Sequence, residues 1–256
     1  MRIAVNLGPT PSWTDVVEGA RRADAAGLDA VSLLDHYHSE NPDWGWVSGL
    51  AAYGALATAT SRVKLVPMVL DRLNYLPGVL AKETAVLSQL SDGRFELGIG
   101  AGDYFVEQRA WGLSVPDAAA RIDALGETLT ALRKVWAGQP VTMSGSHVQL
   151  TGALCLPAPQ SPPKIVVGAG NSRRLIRSAC AYADELNVYA DDATITAARS
   201  EIDKSGRAVD LSVYVWDWPD DIAARLAAWA EMGVGRVFLT VWPPFDRIAE
   251  AAALQH

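Results

Sequence analysis

DGRFELGIGAGDYFVE, residues 92–107, is the stretch on which the reading of the whole chain turns. Asp92-Gly93 is a turn pair. The run after it, Phe95-Glu96-Leu97-Gly98-Ile99-Gly100, is short, apolar and of β type, and it ends in glycines where backbone can come close to a flat ligand. Two acids follow, Asp103 and Glu107. If the run is a barrel strand, both acids lie just past its carboxyl end, where (β/α)8 enzymes keep their chemistry. Taken alone, Gly-x-Gly-x-Gly at a strand end fits an ordinary tight turn equally well, so the neighbouring sequence has to decide.

On the N-terminal side the signals alternate. Ile3 to Leu7 reads as a strand, Gly8-Pro9 turns the chain, and Ser12 caps a helix that runs to about Ala26 and stops at Gly27. Ala30 to Leu34 is the next strand, ending at Asp35-His36. A polar and aromatic loop over 37–46, with His38 as one of its residues, precedes an Ala-rich helix. Val63 to Leu70 is the third strand, and Pro77 opens a helix ending near Leu90. Beyond residue 107 a linking stretch leads to a helical pattern from Asp117 to about Ala137, with Gly138 as its stop. Val141 to Leu150 reads as a small hairpin outside the repeat, and Pro157 to Pro163 as a loop.

The second half repeats the pattern. Lys164 to Val167, Glu185 to Tyr189, Leu211 to Trp216 and Arg236 to Val241 read as strands, each followed by a helical segment. Eight strand–helix units with nearly continuous apolar strands imply a closed parallel (β/α)8 TIM barrel formed by residues 1–256 as a single domain. An open doubly wound sheet is the alternative.

Length agrees, because 256 residues match the roughly 250 such a barrel needs. Half the residues are hydrophobic, yet none of the apolar runs approaches the roughly 18 residues of a membrane span, and MRIAVNLG lacks the apolar core of a signal peptide. The expectation is a soluble cytoplasmic protein with no membrane partner. A formal charge of -7 and a pI near 5.1 argue against a nucleic-acid surface. Cys155 and Cys180 form no Cys-x-x-Cys or Cys/His cluster, so they read as packing residues, with neither a disulfide framework nor a metal site.

Three runs carry a family resemblance: LLDHYH (33–38), LPGVLAKETAVLSQLSDGRFELGIGAG (76–102) and PPKIVVGAGNSRRLIRSACAYADELNVY (162–189). They resemble the luciferase-like monooxygenase superfamily, especially its branch that uses the deazaflavin coenzyme F420. The resemblance implies a luciferase-like (β/α)8 barrel with the cofactor ring at the carboxyl ends of the strands. Here the loop insertions are shortened, since Trp216-Asp217-Trp218-Pro219 runs straight from strand to helix. The implied activity is an F420-dependent oxidoreductase moving a hydride between the deazaflavin and a small organic substrate. An FMN-dependent monooxygenase of the same superfamily and a flavin-binding protein without turnover are the alternatives. A homodimer is implied as well.

The resemblance also assigns residues. Asp35-His36 alone reads as a turn with a hydrogen-bonded imidazole, but the matching Asp contacts the cofactor and the matching His moves a proton beside the reacting carbon, a task an imidazole suits near neutral pH. Asp103 stands where relatives carry a catalytic acid, usually Glu, and is one methylene shorter. Glu107 matches a Glu common in the family and is read as structural; on the residues alone both acids are surface caps of a following helix. Gly100, Ala101 and Gly102 are implied ring contacts. Gly168, Ala169, Gly170, Asn171 and Ser172 are the implied phosphate cradle, a strand-to-helix turn with spare backbone N–H groups, to which Arg173 or Arg174 adds charge. Pro67 and Met68 are implied to lie behind the ring, joined by a non-prolyl cis peptide. Trp44, Trp46, Trp216, Trp218 and Trp242 fall at strand ends on the catalytic side and suit a flat cofactor and an apolar substrate. Trp13, Trp111, Trp136 and Trp229 read as packing, and Arg72 is the cation nearest the mouth.

Overall fold

Alternate residues of each strand face opposite ways, and this period organises the molecule. In β1 (Arg2–Leu7) and β11 (Arg236–Val241), Ile3, Val5, Leu7, Val237, Leu239 and Val241 belong to the apolar layer shared with the helices. The intervening positions, Arg2, Ala4 and Asn6 or Arg236, Phe238 and Thr240, point the other way, into the barrel. The strands are therefore less uniformly apolar than their sequence suggests: one face is oily and the other changes character along its length.

The structure, a computed structural model, describes residues 1–37, 41 and 44–255; His38 lies outside the described residues. The other strands of the barrel sheet are β2 (Ala30–Ser32), β3 (Lys64–Leu65), β4 (Leu70–Asp71), β5 (Leu97–Gly100), β8 (Ile165–Gly170), β9 (Glu185–Tyr189) and β10 (Asp210–Val215). Among the described residues this parallel sheet runs β3-β2-β1-β11-β10-β9-β8-β5-β4. β3 and β4 are two pieces of one stave. Lys64 and Leu65 pair with β2, Leu70 and Asp71 pair with β5, and Leu65 also bridges Phe95, so residues 64–71 close the ring. Eight staves result, as expected for the (β/α)8 TIM barrel.

The expected third strand is thus broken, and the break places the cis peptide. It joins Met68 and Val69, one bond later than the Pro67-Met68 position expected from the sequence. Val66 and Met68 still donate backbone hydrogen bonds to the Val31 and Leu33 carbonyls (3.0 and 3.2 Å), but the chain bulges between them and β4. The glycines of the opening stretch make room for this bulge. A Cβ on Gly98 would sit 1.7 Å from the Pro67 carbonyl oxygen, and one on Gly100 or Gly168 would meet the Val69 side chain at 2.9 or 2.7 Å. The sequence reading expects a flat ligand to approach these glycines; what crowds them in the structure is the neighbouring stave.

Helices form the outer layer. Ser12 caps α1 (Trp13–Ala25) by accepting from the Asp15 N–H at 3.2 Å, and Asp117 caps α5 (Ala118–Val135) by accepting from Ala120 at 2.8 Å. α2 is Gly49–Ala59, and α3 (Pro77–Leu90) begins on its proline as expected. A short helix, α4 (Phe105–Ala110), occupies the stretch read as a link. The hairpin, β6 (Val141–Ser144) and β7 (Gln149–Ala153), lies outside the barrel sheet. Its turn is pinned by Glu127, which accepts from the N–H groups of Ser146, His147 and Val148. After α6 (Arg173–Ala179), α7 (Asp192–Ser205) and α8 (Ile222–Glu231), α9 (Ile248–Ala253) ends the barrel layer.

Inside the barrel three levels follow from the strand alternation. At the amino ends, one charged residue from each stave meets the others: Arg2, Asp29, Lys64, Glu96, Lys164, Glu185, Asp210 and Arg236. Ala4, Ala30, Val66, Val166 and Phe238 form an apolar plug above them. Higher still are polar pairs, Ser32 with Asn6 at 2.8 Å, Asn187 with Ser212 at 2.9 Å and Thr240 with Tyr214 at 3.0 Å. A cavity opens over these.

Candidate active site

The cavity, about 1180 Å3, lies at the carboxyl ends of the staves. That exceeds the roughly 300–1,000 Å3 of most small-molecule pockets and leaves room for a large flat ligand beside a small one. Of the residues singled out in the sequence, Asp35, His36, Met68, Gly100, Ala101, Gly102, Asp103, Gly168, Ala169, Gly170, Asn171 and Ser172 all line it. Pro67 does not; it is buried behind Met68 and Val69.

β2 delivers the first pair. Its outgoing chain is anchored by Tyr53, whose hydroxyl accepts from Leu33 N–H (2.8 Å) and donates to the Leu33 carbonyl (3.2 Å). Asp35 is buried, accepts from the Asp71 N–H at 3.0 Å and receives the Tyr75 hydroxyl on both carboxylate oxygens at 3.1 Å. These bonds tie the end of β2 to the end of β4. Burial pushes the Asp35 carboxyl up to about 6, only partly offset by those hydrogen bonds. Asp71 is likewise driven to about 6 by burial, with the Asp35 charge adding to it.

His36 points its Nδ1 at Glu107 Oε1, 3.3 Å away, and Glu107 Oε2 accepts the Tyr37 N–H at 3.0 Å. Glu107 is 2% exposed, so it is not the surface cap that its place at a helix start suggested. It is the group that orients the imidazole. Gln108 beside it donates to Asp71 at 2.6 Å and to Glu107 at 3.2 Å, which links the two acids through one amide. Burial pulls the His36 imidazole down, but the Glu107 hydrogen bond and charge, helped by Asp103 and Asp35, raise it above its ordinary value. With Nδ1 directed at Glu107, Nε2 is the nitrogen that can exchange a proton with a ligand. The ring packs against Trp46 (centroids 4.8 Å apart) and edge-on to Tyr104 (5.6 Å).

Asp103 sits exposed at the rim, near enough to influence His36 electrostatically, while the hydrogen bond to the imidazole comes from Glu107. On the far side, β8 leads into residues 168–172, where Gly170 has a φ of 53° and Ser172 caps α6 by accepting from the Leu175 N–H at 3.3 Å. Neither Arg173 nor Arg174 lines the cavity; Arg174 pairs with Asp123 at 3.4 Å. Arg72 also turns away, donating to Thr128 at 3.3 Å.

The tryptophans divide differently from expectation. Trp44, Trp46 and Trp216 line the cavity, Trp242 stands behind them (5.8 Å from Trp44 and 5.1 Å from Trp216), and Trp218 donates to the Thr240 carbonyl at 2.7 Å beneath Arg247. Trp229 packs in the core as read, 2% exposed, while it also reaches the cavity wall and donates to Asp192 at 3.2 Å. Trp111 is 63% exposed, so it does little packing. No sequence signal marks Asp71, Tyr75 or Gln108: an Asp before an Arg and a Gln in a short helix stand out only once their partners are in place. Among the described residues, no group of three His, Cys, Asp or Glu is arranged to hold a metal ion.

The family model for luciferase-like monooxygenases matches residues 1–217. Two curated relatives are named F420-dependent glucose-6-phosphate dehydrogenase. The one from Amycolatopsis mediterranei is 33% identical over 158 residues, 61% of this chain and 47% of the relative. That from Nakamurella multipartita is 28% identical over 215 residues, 81% of this chain and 62% of the relative. The chain thus spans about half to three-fifths of the length of these relatives. A solved structure described as an F420-dependent secondary alcohol dehydrogenase in complex with an F420-acetone adduct superposes with a TM-score of 0.86 at 18% identity, covering 99% of this chain and 97% of that one.

Proposed function

The chain belongs to the luciferase-like monooxygenase family, and from that premise we propose that it is a coenzyme F420-dependent oxidoreductase acting on a small organic substrate. The observation that carries the reading is His36, oriented by buried Glu107 in the wall of a cavity of about 1180 Å3. The names of the relatives support the choice of deazaflavin. The residues fit such a group: Met68, Val69, Gly100, Ala101 and Gly168 offer a flat surface without charge for a ring, and the turn over 168–172 offers backbone N–H groups for a phosphate. When bound, the deazaflavin supplies a ring carbon that takes or gives a hydride. His36 takes or gives the accompanying proton through Nε2, Glu107 holds its ring in place, and Asp35 contacts the cofactor while joining β2 to β4. Asp103 is the second candidate acid.

The remaining features fit the same reading. Leu76, Val79, Val86 and Leu90 are exposed along α3 and its cap, and Lys82 of the same helix donates to the carbonyl of exposed Leu156, which supports a homodimer through this stripe. No described helix is long and apolar enough to cross a membrane. We read residues 1–256 as one domain of a cytoplasmic enzyme that works without nucleic acid, in keeping with its acidic composition.

Side-by-side titration of the purified protein with F420 and with FMN, followed by quenching of cofactor fluorescence, tests the reading. Micromolar or tighter binding of F420 together with weaker FMN binding is the expected result. Preference for FMN would make the oxygen-using activity of the family primary. Binding of neither would remove the cofactor from the argument.

A further inference from the structure

The charge lining the cavity is mostly negative, with Asp191 and Asp217 on its wall besides the four acids nearest His36. Asp35, Asp71, Asp103 and Glu107 all contribute to its His36 side. No lysine or arginine is among the hydrogen-bond partners that the structure gives Asp35 and Asp71. Among the described residues the cavity's lysine and arginine positions are Arg121 and Arg225, and both are engaged. Arg225 is bound to both Asp192 oxygens (2.5 and 3.3 Å) and lies over Trp229 at 5.1 Å, while Arg121 donates through Nη1 to the Pro116 carbonyl at 2.6 Å and lies over Phe105 at 4.2 Å, leaving its Nε buried without a hydrogen-bond partner among the described residues. The rest of the wall near the imidazole is aromatic: Trp46 and Tyr104 touch His36, and Trp44 and Trp216 continue the surface.

A phosphate or carboxylate placed against His36 would face like charge and leave water for a wall that gives it few donors, which costs binding twice. An uncharged apolar molecule with one hydroxyl or carbonyl meets neither penalty. It buries its carbon skeleton on the tryptophans and offers its oxygen to His36.

Resting on the deazaflavin reading above, we propose that the substrate site beside His36 selects an uncharged, apolar alcohol or its carbonyl counterpart and rejects phosphorylated sugars. In the oxidising direction the carbinol carbon loses a hydride, and with it two electrons, to oxidised F420. The hydroxyl proton passes to His36, and the carbon–oxygen bond becomes a carbonyl. The reducing direction is the reverse, with reduced F420 as hydride donor. The acid ring therefore acts as a charge filter, and the tryptophan wall supplies the affinity.

The test uses one carbon skeleton with different charge. Cyclohexanol, cyclohexyl phosphate and glucose 6-phosphate are titrated into the protein with F420 present, following tryptophan and cofactor fluorescence. Cyclohexanol is expected to bind saturably and at least tenfold more tightly than either phosphate. Equal or tighter binding of a phosphate, or no binding of cyclohexanol, overturns the proposal. Asp103→Lys is the second arm: a filter made of charge predicts that the discrimination narrows several-fold, and an unchanged ratio would assign it to shape and overturn the charge argument. Titration of F420 alone keeps the two readings apart. If F420 fails to bind while cyclohexanol discrimination persists, the cofactor reading falls and the charge filter stands; if F420 binds and a phosphate is preferred, only the filter falls.

Discussion

The two ends of this barrel both bury charge, and they do so on opposite plans. At the amino ends four acids and four bases, one from each stave, are interleaved. Arg236, fully buried, donates to Glu185 (2.7 and 2.9 Å), Glu96 (2.6 Å) and Asp29 (3.2 Å), while Lys164 joins Glu185 (2.8 Å) to Asp210 (2.6 Å). Burial alone would raise the Glu185 carboxyl and lower the Arg236 guanidinium, yet the mutual charges hold Glu185 below and Arg236 above their ordinary ranges. At the carboxyl ends Asp35 and Asp71 are buried among neutral donors and driven upward instead. Charge that is matched closes the floor of the barrel. Charge that is left unmatched at the other end costs stability.

The largest effect is expected from unbalancing the closed end. Arg236→Leu takes from Glu185 and Glu96 their fully buried partner and leaves them the half-buried Lys164 (2.8 Å) and Lys64 (3.6 Å), and removal of one partner from such a network costs about 3–5 kcal/mol. Urea unfolding of the variant should show that loss, and Glu96→Gln with Glu185→Gln in the same chain should recover much of it. A loss under about 1 kcal/mol would mean that the network is not compensated as its distances imply.

The two ends also differ in how far the sequence disclosed them. Asp35-His36 and Gly168 to Ser172 stand out locally as a strand end and a strand-to-helix turn, the family resemblance supplies their expected roles, and both segments line the cavity. The strand and helix order was legible locally as well, with Gly27, Pro77, Gly138 and Ser12 punctuating it. Nothing local marks the floor. Arg236 meets Asp29 across 207 positions and Glu96 across 140, and each partner alone looks like a charged residue at the start of a strand. Glu107 has the structural role that the family resemblance implied, but its own position in the first turn of a helix suggests only a surface role, because its partner His36 lies 71 positions away. The break at 66–69 was hidden because Val66-Pro67-Met68-Val69 is apolar whether it runs straight or bulges.

Removing charge from the open end should do the opposite of removing it from the floor. Asp35 holds its proton more tightly folded than unfolded, with a pKa raised from 3.8 to about 6. Its favourable contribution is therefore complete below the unfolded value and lost as pH rises through about 6. Above that, the ionised carboxylate costs up to about 3 kcal/mol, because each tenfold change in proton affinity is worth about 1.4 kcal/mol. Asp35→Asn is expected to match the parent near pH 4 and to unfold at a higher temperature near pH 7, by up to roughly 10 °C for a chain of this size. A smaller slope persists in the variant because Asp71 is shifted the same way. Thermal melts across that range check it, and a variant less stable than the parent at pH 7 would erase the contrast between the two ends.

The smallest effect is the most direct reading of the site. Glu107 is the main reason that the His36 imidazole titrates above its ordinary value, since burial alone would lower it. Glu107→Gln keeps a hydrogen-bonding oxygen near Nδ1 and removes the charge, so the His36 pKa should fall. NMR of ring-labelled histidine follows this without any substrate, because the chain has only four histidines and His36→Gln identifies the signal. The sign extends to stability. The parent's His36–Glu107 pair contributes fully below the unfolded histidine value of 6.5 and fades as pH rises through the higher folded value. The variant's deficit should therefore be larger at pH 5.5 than at pH 9. A purely structural Glu107, bonded only to the Tyr37 N–H, would give the same deficit at both pH values and an unmoved histidine signal, and His36 would then lose its orienting partner in the proposed mechanism.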